Sequence, residues 1–470
     1  MHNRRMRFVR LTIGALALWA FCSSADAQRS LSVDQAVALA KKQNPEIVIA
    51  RKQLEAARGG KMEARAGYLP SVVSSGLLRK RQRAESSRLR EDDYNASLRV
   101  VQNVYSAGAN AARLEIARLL EEKRTLELAA VTDRVAMDVR IAYNELLLNR
   151  AKIGVREQAV RVLQEELKAQ TERFVAGTVG ELNVRRADVA LANEQPQLIG
   201  AETSVQNSYL RLSELCGIQT SARSRVSPIE ASGRLEYRPK RPDLTESLGY
   251  ATVNRPEIRA REIDIAIEDQ QMIVERSELR PRVEAFTGYE VYSERDPDVG
   301  AEFNHGYVVG LNASWHIFDG FATKGRLRAT RARREGAVQA LEAARLTVQS
   351  DVRNAFFDLE QADRVLESET RNVENASESL EIARSNLAAG LGTQLDVLQA
   401  ASDVTRTRTT RLSAIYLHNV ALARLARATA RDPEALGFAG KIKTSEDAKR
   451  QAQAFDLARP PSRLGGGEGG

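Results

Sequence analysis

Nothing constrains this chain more than the fact that it is written twice. AAGLGTQLDVLQA, residues 388–400, stands 213 positions after VAGTVGELNVRRA, residues 175–187. Each has a glycine, a second glycine two or three positions on, then Leu-Asx-Val and an alanine. DVRIAYNEL (138–146) matches DVRNAFFDL (351–359) at the same offset, and NVYSAGANAARLEIAR (103–118) matches HIFDGFATKGRLRATR (316–331). Further upstream the offset is 211: Asn44-Pro45-Glu46-Ile47 matches Arg255-Pro256-Glu257-Ile258, and Pro70 matches Pro281. Two residues have therefore been gained between these stretches, in a loop region. A period this long means duplicated domains rather than a short-repeat solenoid. The copies read as residues 31–218 and 243–431, joined by 219–242 and followed by a tail, 432–470.

Each copy has the same internal order. Val33–Lys42 reads as a short helix, with a less distinct counterpart expected after Pro256. A second helix is predicted from Pro45 to about Ala66, and from Pro256 to about Leu279, because proline suits the first turn of a helix. Pro70 and Pro281 end these helices. The hydrophobic period then changes. In YVVGLNASWHIF (307–318), Tyr307, Val309, Leu311, Ala313, Trp315 and Ile317 share one face. Tyr94, Ala96, Leu98 and Val100 repeat the pattern in the first copy. Period two means strand. Partner strands are predicted at Ser71–Leu78 and Arg282–Tyr292, giving one hairpin per copy. Two readings fit such a face: a half-buried sheet in a soluble domain, or the lipid face of a β-barrel with aromatic ends.

After each hairpin, Ala109–Phe174 and Ala322–Leu387 run without a proline. At ~1.5 Å per residue each is about 100 Å of helix. Charged residues make up 28% of the chain and aromatics only 5%, as in coiled coils. The glycine motif follows, and a second helix returns over Leu182–Leu215 and Leu395–Ala430. Gly177, Gly180, Gly390 and Gly392 are thus expected at the turns of two long helical hairpins, where glycine accepts positive φ. Asn183 and Asp396 stand where they could cap or start the returning helices. Read as a phosphate loop, Gly390-Leu391-Gly392 lacks a preceding strand and a following Lys or Ser in register.

The first 27 residues read as a secretory signal peptide, with arginines before an apolar run, Leu11–Cys22, and Ala25-Asp26-Ala27 as the cleavage site. Phe21 argues against lipidation at Cys22, since a small residue is expected there. Removing this segment's net +3 from the formal +8 leaves +5, too mild to indicate nucleic-acid binding. Cys216 then remains alone, so no disulfide within one chain is possible. His305, His316 and His418 are scattered, without metal-ligand spacing. No nucleophile elbow, Cys-His pair or paired-acid motif stands out. No cofactor, metal or catalytic residue is expected. The basic stretch RKRQRAESSRLR (79–90) reads as a solvated hairpin tip, and RLRATRARREG (326–336) as a charged coiled-coil face.

The order of these phrases resembles the TolC-type outer-membrane efflux channel family. SVDQAVALAKKQNPEI, GYLPSV, NVYSAG, FVAGTVGELNVRRA and LAAGLGTQLDVLQAASD carry the resemblance, which covers about 31–431. It implies a mainly α fold with a small β part. Long coiled-coil hairpins would form a periplasmic tunnel, and four strands per chain would join a trimeric outer-membrane β-barrel. The barrel's lipid face would include Tyr94, Leu98, Tyr307, Val309, Leu311 and Trp315. The turns would lie at the periplasmic tip, with Asn183, Asp396, Leu387 and Gln399 lining an aperture. Leu387 and Gly392 occupy places where some members carry a Tyr and an Arg that tie the aperture shut. A periplasmic adaptor would dock at Gly177, Thr178, Gly180, Gly390, Leu391 and Gly392. An inner-membrane pump of RND, ABC or MFS type would supply the energy, and the chain itself would be a passive, non-enzymatic duct. The competing expectations are a soluble periplasmic coiled-coil adaptor and a secreted nucleic-acid-binding coiled coil; neither explains both the strands and the duplication.

Overall fold

The computed structural model describes residues 29–80, 92–218, 229–240, 242–293 and 303–431. The signal segment, residues 81–91 of the basic loop and the tail lie outside the described residues.

The duplication is carried element by element. The first copy holds α1 (Val33–Gln43), α2 (Pro45–Ala66), β2 (Ser71–Lys80), β3 (Asp92–Tyr105), α3 (Ala109–Val175) and α4 (Glu181–Leu215). The second holds α5 (Leu244–Asn254), α6 (Pro256–Ser277), β5 (Arg282–Ser293), β6 (Phe303–Ser314), α7 (Ala322–Ala388) and α8 (Gln394–Thr429). Short strands β1 (Arg29–Leu31) and β4 (Ile229–Ala231) pair in parallel. Two expectations need correction. The short helix of the second copy precedes Pro256, as α5, rather than following it. β6 ends at Ser314, so Trp315 and Ile317 continue the alternation beyond the strand.

The register shows where the offset changes. Ser71 pairs with Val101 and Arg282 with Ser314, so β2 maps onto β5 at 211 while β3 maps onto β6 at 213. The two gained residues therefore enter between the paired strands, at the hairpin tip.

All four long strands form one antiparallel sheet in the order β2-β3-β5-β6. The copies meet at β3 and β5, where Leu98 faces Tyr289 and Val100 faces Thr287. Among the described residues, β2 and β6 are unpaired on their outer sides. Each strand-to-helix junction takes two consecutive left-handed residues, Ala107-Gly108 and Gly320-Phe321. Glycine holds the second place in one copy and the first in the other.

Helix α3 packs on α4 and α7 on α8; α3 also packs on α8, which joins the two hairpins. The core near mid-length is duplicated too. Val135, Val139, Ala142, Leu146 and Leu212 are buried in one cluster with Ile47. Val348, Val352, Ala355, Leu359 and Leu425, their counterparts, are buried with Ile258 in the other. Full burial of one such Val, Leu or Ile side chain contributes about 1.5–3 kcal/mol. The entry to α2 and α6 is fixed by different chemistry at one position. Asn44 caps α2 and donates to the Leu215 carbonyl at 2.8 Å. Arg255, its equivalent, donates to the Arg427 carbonyl at 2.8 Å and pairs with Asp351 and Glu257 at 3.3 and 3.2 Å.

Closer to the sheet the helices are joined by ions. Glu121 of α3 takes Arg58 and Lys61 of α2 at 3.2 and 2.9 Å. Three of the five arginines of 326–336 behave alike. Arg326 meets Glu275, Arg333 meets Glu268 and Arg334 meets Asp269 at 2.8, 3.3 and 2.6 Å, all on α6. They line a helix–helix seam.

Candidate functional site

Two regions concentrate the predicted residues: the tip turns and the sheet. At the tips, α3 and α7 end in the same way. Gly177 and Gly390 have φ of +72° and +74°, the left-handed value that an L side chain resists. The Thr178 amide donates to the Arg173 carbonyl at 2.9 Å, and the Leu391 amide to the Asn386 carbonyl at 2.8 Å, closing each helix end. Gly180 and Gly392 do not have positive φ, which corrects the expectation that all four glycines serve this need. A side chain at Gly392 would meet Asn386 Cβ at 3.1 Å.

The returning helices start differently. Gly180 caps α4 without a side-chain bond, and Asn183 sits in its first turn. Thr393 caps α8 in a full capping box with Asp396. The Asp396 carboxylate accepts from the Thr393 amide at 2.8 Å and its hydroxyl at 2.7 Å. These bonds, the hydroxyl's first, hold the Asp396 carboxyl below its ordinary value. The pattern T-x-x-D at 393–396 was a readable signal for this box.

Asp396 and Gln399 line one cavity of about 600 Å³ between α7 and α8, with Glu369, Asp403 and Arg406. Leu387 and Asn183 do not line it. Leu387 is half-buried and gives its carbonyl to the turn amide of Gly390 at 3.3 Å. Asn183 lies at the seam between the hairpins, where its carbonyl accepts from Gln394 Nε2 at 3.0 Å. Gln394 is only 4% exposed and was not foreseen. Above it, a groove of about 730 Å³ separates the hairpins, lined by Val155, Leu163, Ala190, Leu380 and Leu398. Arg408 bridges it to Gln158 at 2.8 Å. At the tips themselves Val175, Leu182, Leu391 and Leu395 are exposed.

The sheet has two unlike faces. Tyr307, Val309 and Leu311 are 93%, 81% and 72% exposed, and Tyr94 and Leu98 are exposed on the same side. Among the described residues nothing covers them. Trp315 lies just past the strand, exposed, with its indole N–H donating to the Leu279 carbonyl at 3.1 Å. The opposite face is mixed, with Val73, Leu77, Phe286 and Tyr292 beside ion pairs and hydroxyls. Arg79 pairs with Asp93, Arg99 pairs with Glu290, and Ser75 meets Ser97 at 2.8 Å. One uncovered apolar face and one face that carries ion pairs suit a barrel wall between lipid and water. Among the described residues no helix is long and apolar enough to cross a membrane, and no group of His, Cys, Asp and Glu could hold a metal.

Comparison with known proteins agrees with this geometry. The family model described as outer membrane efflux protein matches residues 36–218 and 248–431. The chain belongs to the outer membrane efflux protein family. Protein CyaE of Bordetella pertussis is 27% identical over 417 residues, covering 87% of this chain and 86% of that protein. Among solved structures, the outer membrane protein VceC of Vibrio cholerae superposes with a TM-score of 0.73 at 19% identity, covering 85% of this chain and 96% of that one. The Campylobacter jejuni CmeC outer membrane channel gives 0.74 at 16% identity, covering 90% and 89%. Membership assigns the chain to the outer membrane of a Gram-negative bacterium, extending into the periplasm. It is a passive exit duct there and not an enzyme.

Proposed function

We propose that three copies of this chain close one barrel, each giving four strands, while their helical hairpins form the periplasmic tunnel. The observation that carries this reading is the sheet. Its apolar face is uncovered, its other face carries ion pairs, and β2 and β6 present free edges. A four-stranded sheet cannot close by itself, and an open edge in lipid leaves backbone groups unsatisfied. Pairing β6 of one copy with β2 of the next removes every edge. Residues 31–218 and 243–431 are the two repeats, 219–242 is the equatorial joint, 1–27 is the removed signal and 432–470 is the tail.

The tips form the aperture. Asp396 stands just past the turn, exposed, ionised and held by Thr393, so three copies would set a ring of fixed negative charge that favours cations. The exposed apolar residues around Gly177 and Gly390 suit docking of an adaptor's helical hairpin. An inner-membrane pump of RND, ABC or MFS type drives transport, and the duct relays it.

Detergent extraction of outer membranes, with mass determination and single-channel conductance, tests this. A heat-sensitive trimer with a small, cation-preferring conductance is expected, and Asp396→Asn should lose the preference. A monomer or dimer released by salt washing, without conductance, would favour a soluble coiled-coil adaptor instead.

A further inference from the structure

The two repeats end their second strands at different places. β3 and β6 are counterparts at the offset of 213, yet β3 runs to Tyr105, the counterpart of Phe318, while β6 stops at Ser314. The partner strand within each hairpin does not account for this. β2 starts at Ser71 opposite Val101, and β5 starts at Arg282 opposite Ser314, the counterpart of Val101. Past Val101, it is the other side of β3 that is held: Gln102, Asn103 and Tyr105 pair with Ala285, Glu284 and Val283 of β5. Among the described residues β6 has no strand on its other side. The end of β3 is strand because the first strand of another repeat lies beside it, and the end of β6 lacks that neighbour.

Residues 315–318 are otherwise placed as their counterparts are. The Trp315 indole donates to the Leu279 carbonyl at 3.1 Å. Gln102, the counterpart of Trp315, donates through Nε2 to the carbonyl of Tyr68, the counterpart of Leu279, at 3.2 Å. Trp315, Ile317 and Phe318 are exposed, and so are Val72 and Leu78 on the free edge of β2. Each edge thus leaves apolar side chains and backbone groups without a neighbour.

We propose that β2 of a second chain of this protein lies along residues 309–318, completes β6 through Phe318, and takes the register that β5 takes on β3. The two offsets fix that register. Leu98 faces Tyr289 within the chain, which sets Leu311 opposite Leu78 of the partner subunit. Val100 faces Thr287, which sets Ala313 opposite Gly76 of the partner subunit. Gln102 faces Ala285, which sets Trp315 opposite Ser74 of the partner subunit. The irregularity that passes over Val104 on β3 passes over Ile317 on β6. A slip of one residue would set the apolar face of one chain against the opposite face of the next. A slip of two keeps the faces but breaks the symmetry of the repeats. In the proposed register Leu311 and Leu78, which are 72% and 80% exposed in the single chain, lie side by side. The inference rests on the proposed barrel and names the residues of the joint that closes it.

Cysteine pairs in the full chain, oxidised in isolated outer membranes, test it. Facing residues of an antiparallel pair lie about 4.5–5.5 Å apart at Cα, within reach of a disulfide, and a slip of two residues moves them about 7 Å along the strand and out of reach. Leu78→Cys with Leu311→Cys should shift the chain on a non-reducing gel from monomer to covalent trimer. Gly76→Cys with Ala313→Cys should do the same, and it decides if the first pair does not fold. Ser74→Cys with Trp315→Cys should also cross-link, which carries the test past Ser314. Leu98→Cys with Tyr289→Cys, the equivalent joint within one chain, should close without a change of mass. Preferred cross-linking of Leu78→Cys to Val309→Cys or Ala313→Cys would overturn the register and leave the trimer standing. No cross-link from any pair, with the internal control closed and a trimer still found by mass in detergent, would overturn the joint. Loss of the trimer itself would overturn the barrel reading on which the joint rests.

Discussion

Gln394→Ala should unlatch the tips. Gln394 Nε2 donates to the Asn183 carbonyl at 3.0 Å and joins the start of α8 to the start of α4. Its equivalent in the first copy is Glu181, which is exposed and pairs with Arg185 at 3.0 Å within α4. Among the described residues there is therefore one such latch. A buried hydrogen bond contributes about 1 kcal/mol net. The other end of the amide, Oε1, is buried without a partner, and its removal recovers part of that. In the proposed trimer, a net loss of about 0.5–1 kcal/mol per chain becomes about 1.5–3 kcal/mol for three chains opening together. The open-to-closed ratio then rises about tenfold to a hundredfold, at 1.4 kcal/mol per decade. Single-channel recording of the reconstituted protein reads this as the fraction of time at high conductance. Gln394→Glu should open the tips further, because it removes the donor and sets a carboxylate against a carbonyl. An unchanged open fraction in Gln394→Ala, with unchanged thermal dissociation of the assembly, would falsify the idea that the hairpins part at this seam.

Three other outcomes are expected. Thr393 holds the Asp396 carboxyl below its ordinary 3.8, so the cap and any cation preference are complete above that value and are lost only as pH falls through the depressed one. Thr393→Val should move that loss to higher pH in conductance titrations. Burial pushes the Cys216 thiol up to about 11, so a maleimide at pH near 8 should label it only after denaturation; labelling of the folded chain would contradict its burial. On the sheet, Val309→Arg puts a charge on the exposed apolar face and should cost about 2 kcal/mol or more, depending on membrane depth. Three residues further along β6, Asn312→Arg on the opposite face should insert normally; equal yields of folded, membrane-inserted protein from both variants would refute the assignment of faces.

Much of this architecture was legible because two copies corroborate each other. The long helices, the glycine turns and the hairpins appear twice, so a weak signal in one copy is checked in the other. Helix α5 was misplaced although Ala251 repeats Ala40 at the expected offset of 211, both fully buried. Gly249 and Thr252 blurred its amphipathic pattern. β6 was drawn too long because Trp315 and Ile317 keep the alternation while the backbone has already left the sheet. Alternation alone also could not separate a half-buried sheet from a lipid face, since both need one apolar side; the exposure of Tyr307 and Val309 supports the second reading. Gln394 and His418 were not legible for a different reason. Each acts on a backbone carbonyl about 180 or more residues away, and no local pattern marks such a pairing.

The two copies share a frame and differ in what they hang on it. Their buried Val, Ala and Leu positions coincide, because packing at one shared geometry admits few alternatives. At the joints the second copy carries the more ionic chemistry. Arg255 replaces Asn44, the Asp363–His418 pair replaces Arg150 and Val205, and the Thr393–Asp396 box replaces Gly180 and Asn183. The ties of the second copy bring more ionisable side chains into contact than those of the first. A hairpin held by such ties can change its attachment without any change in its core.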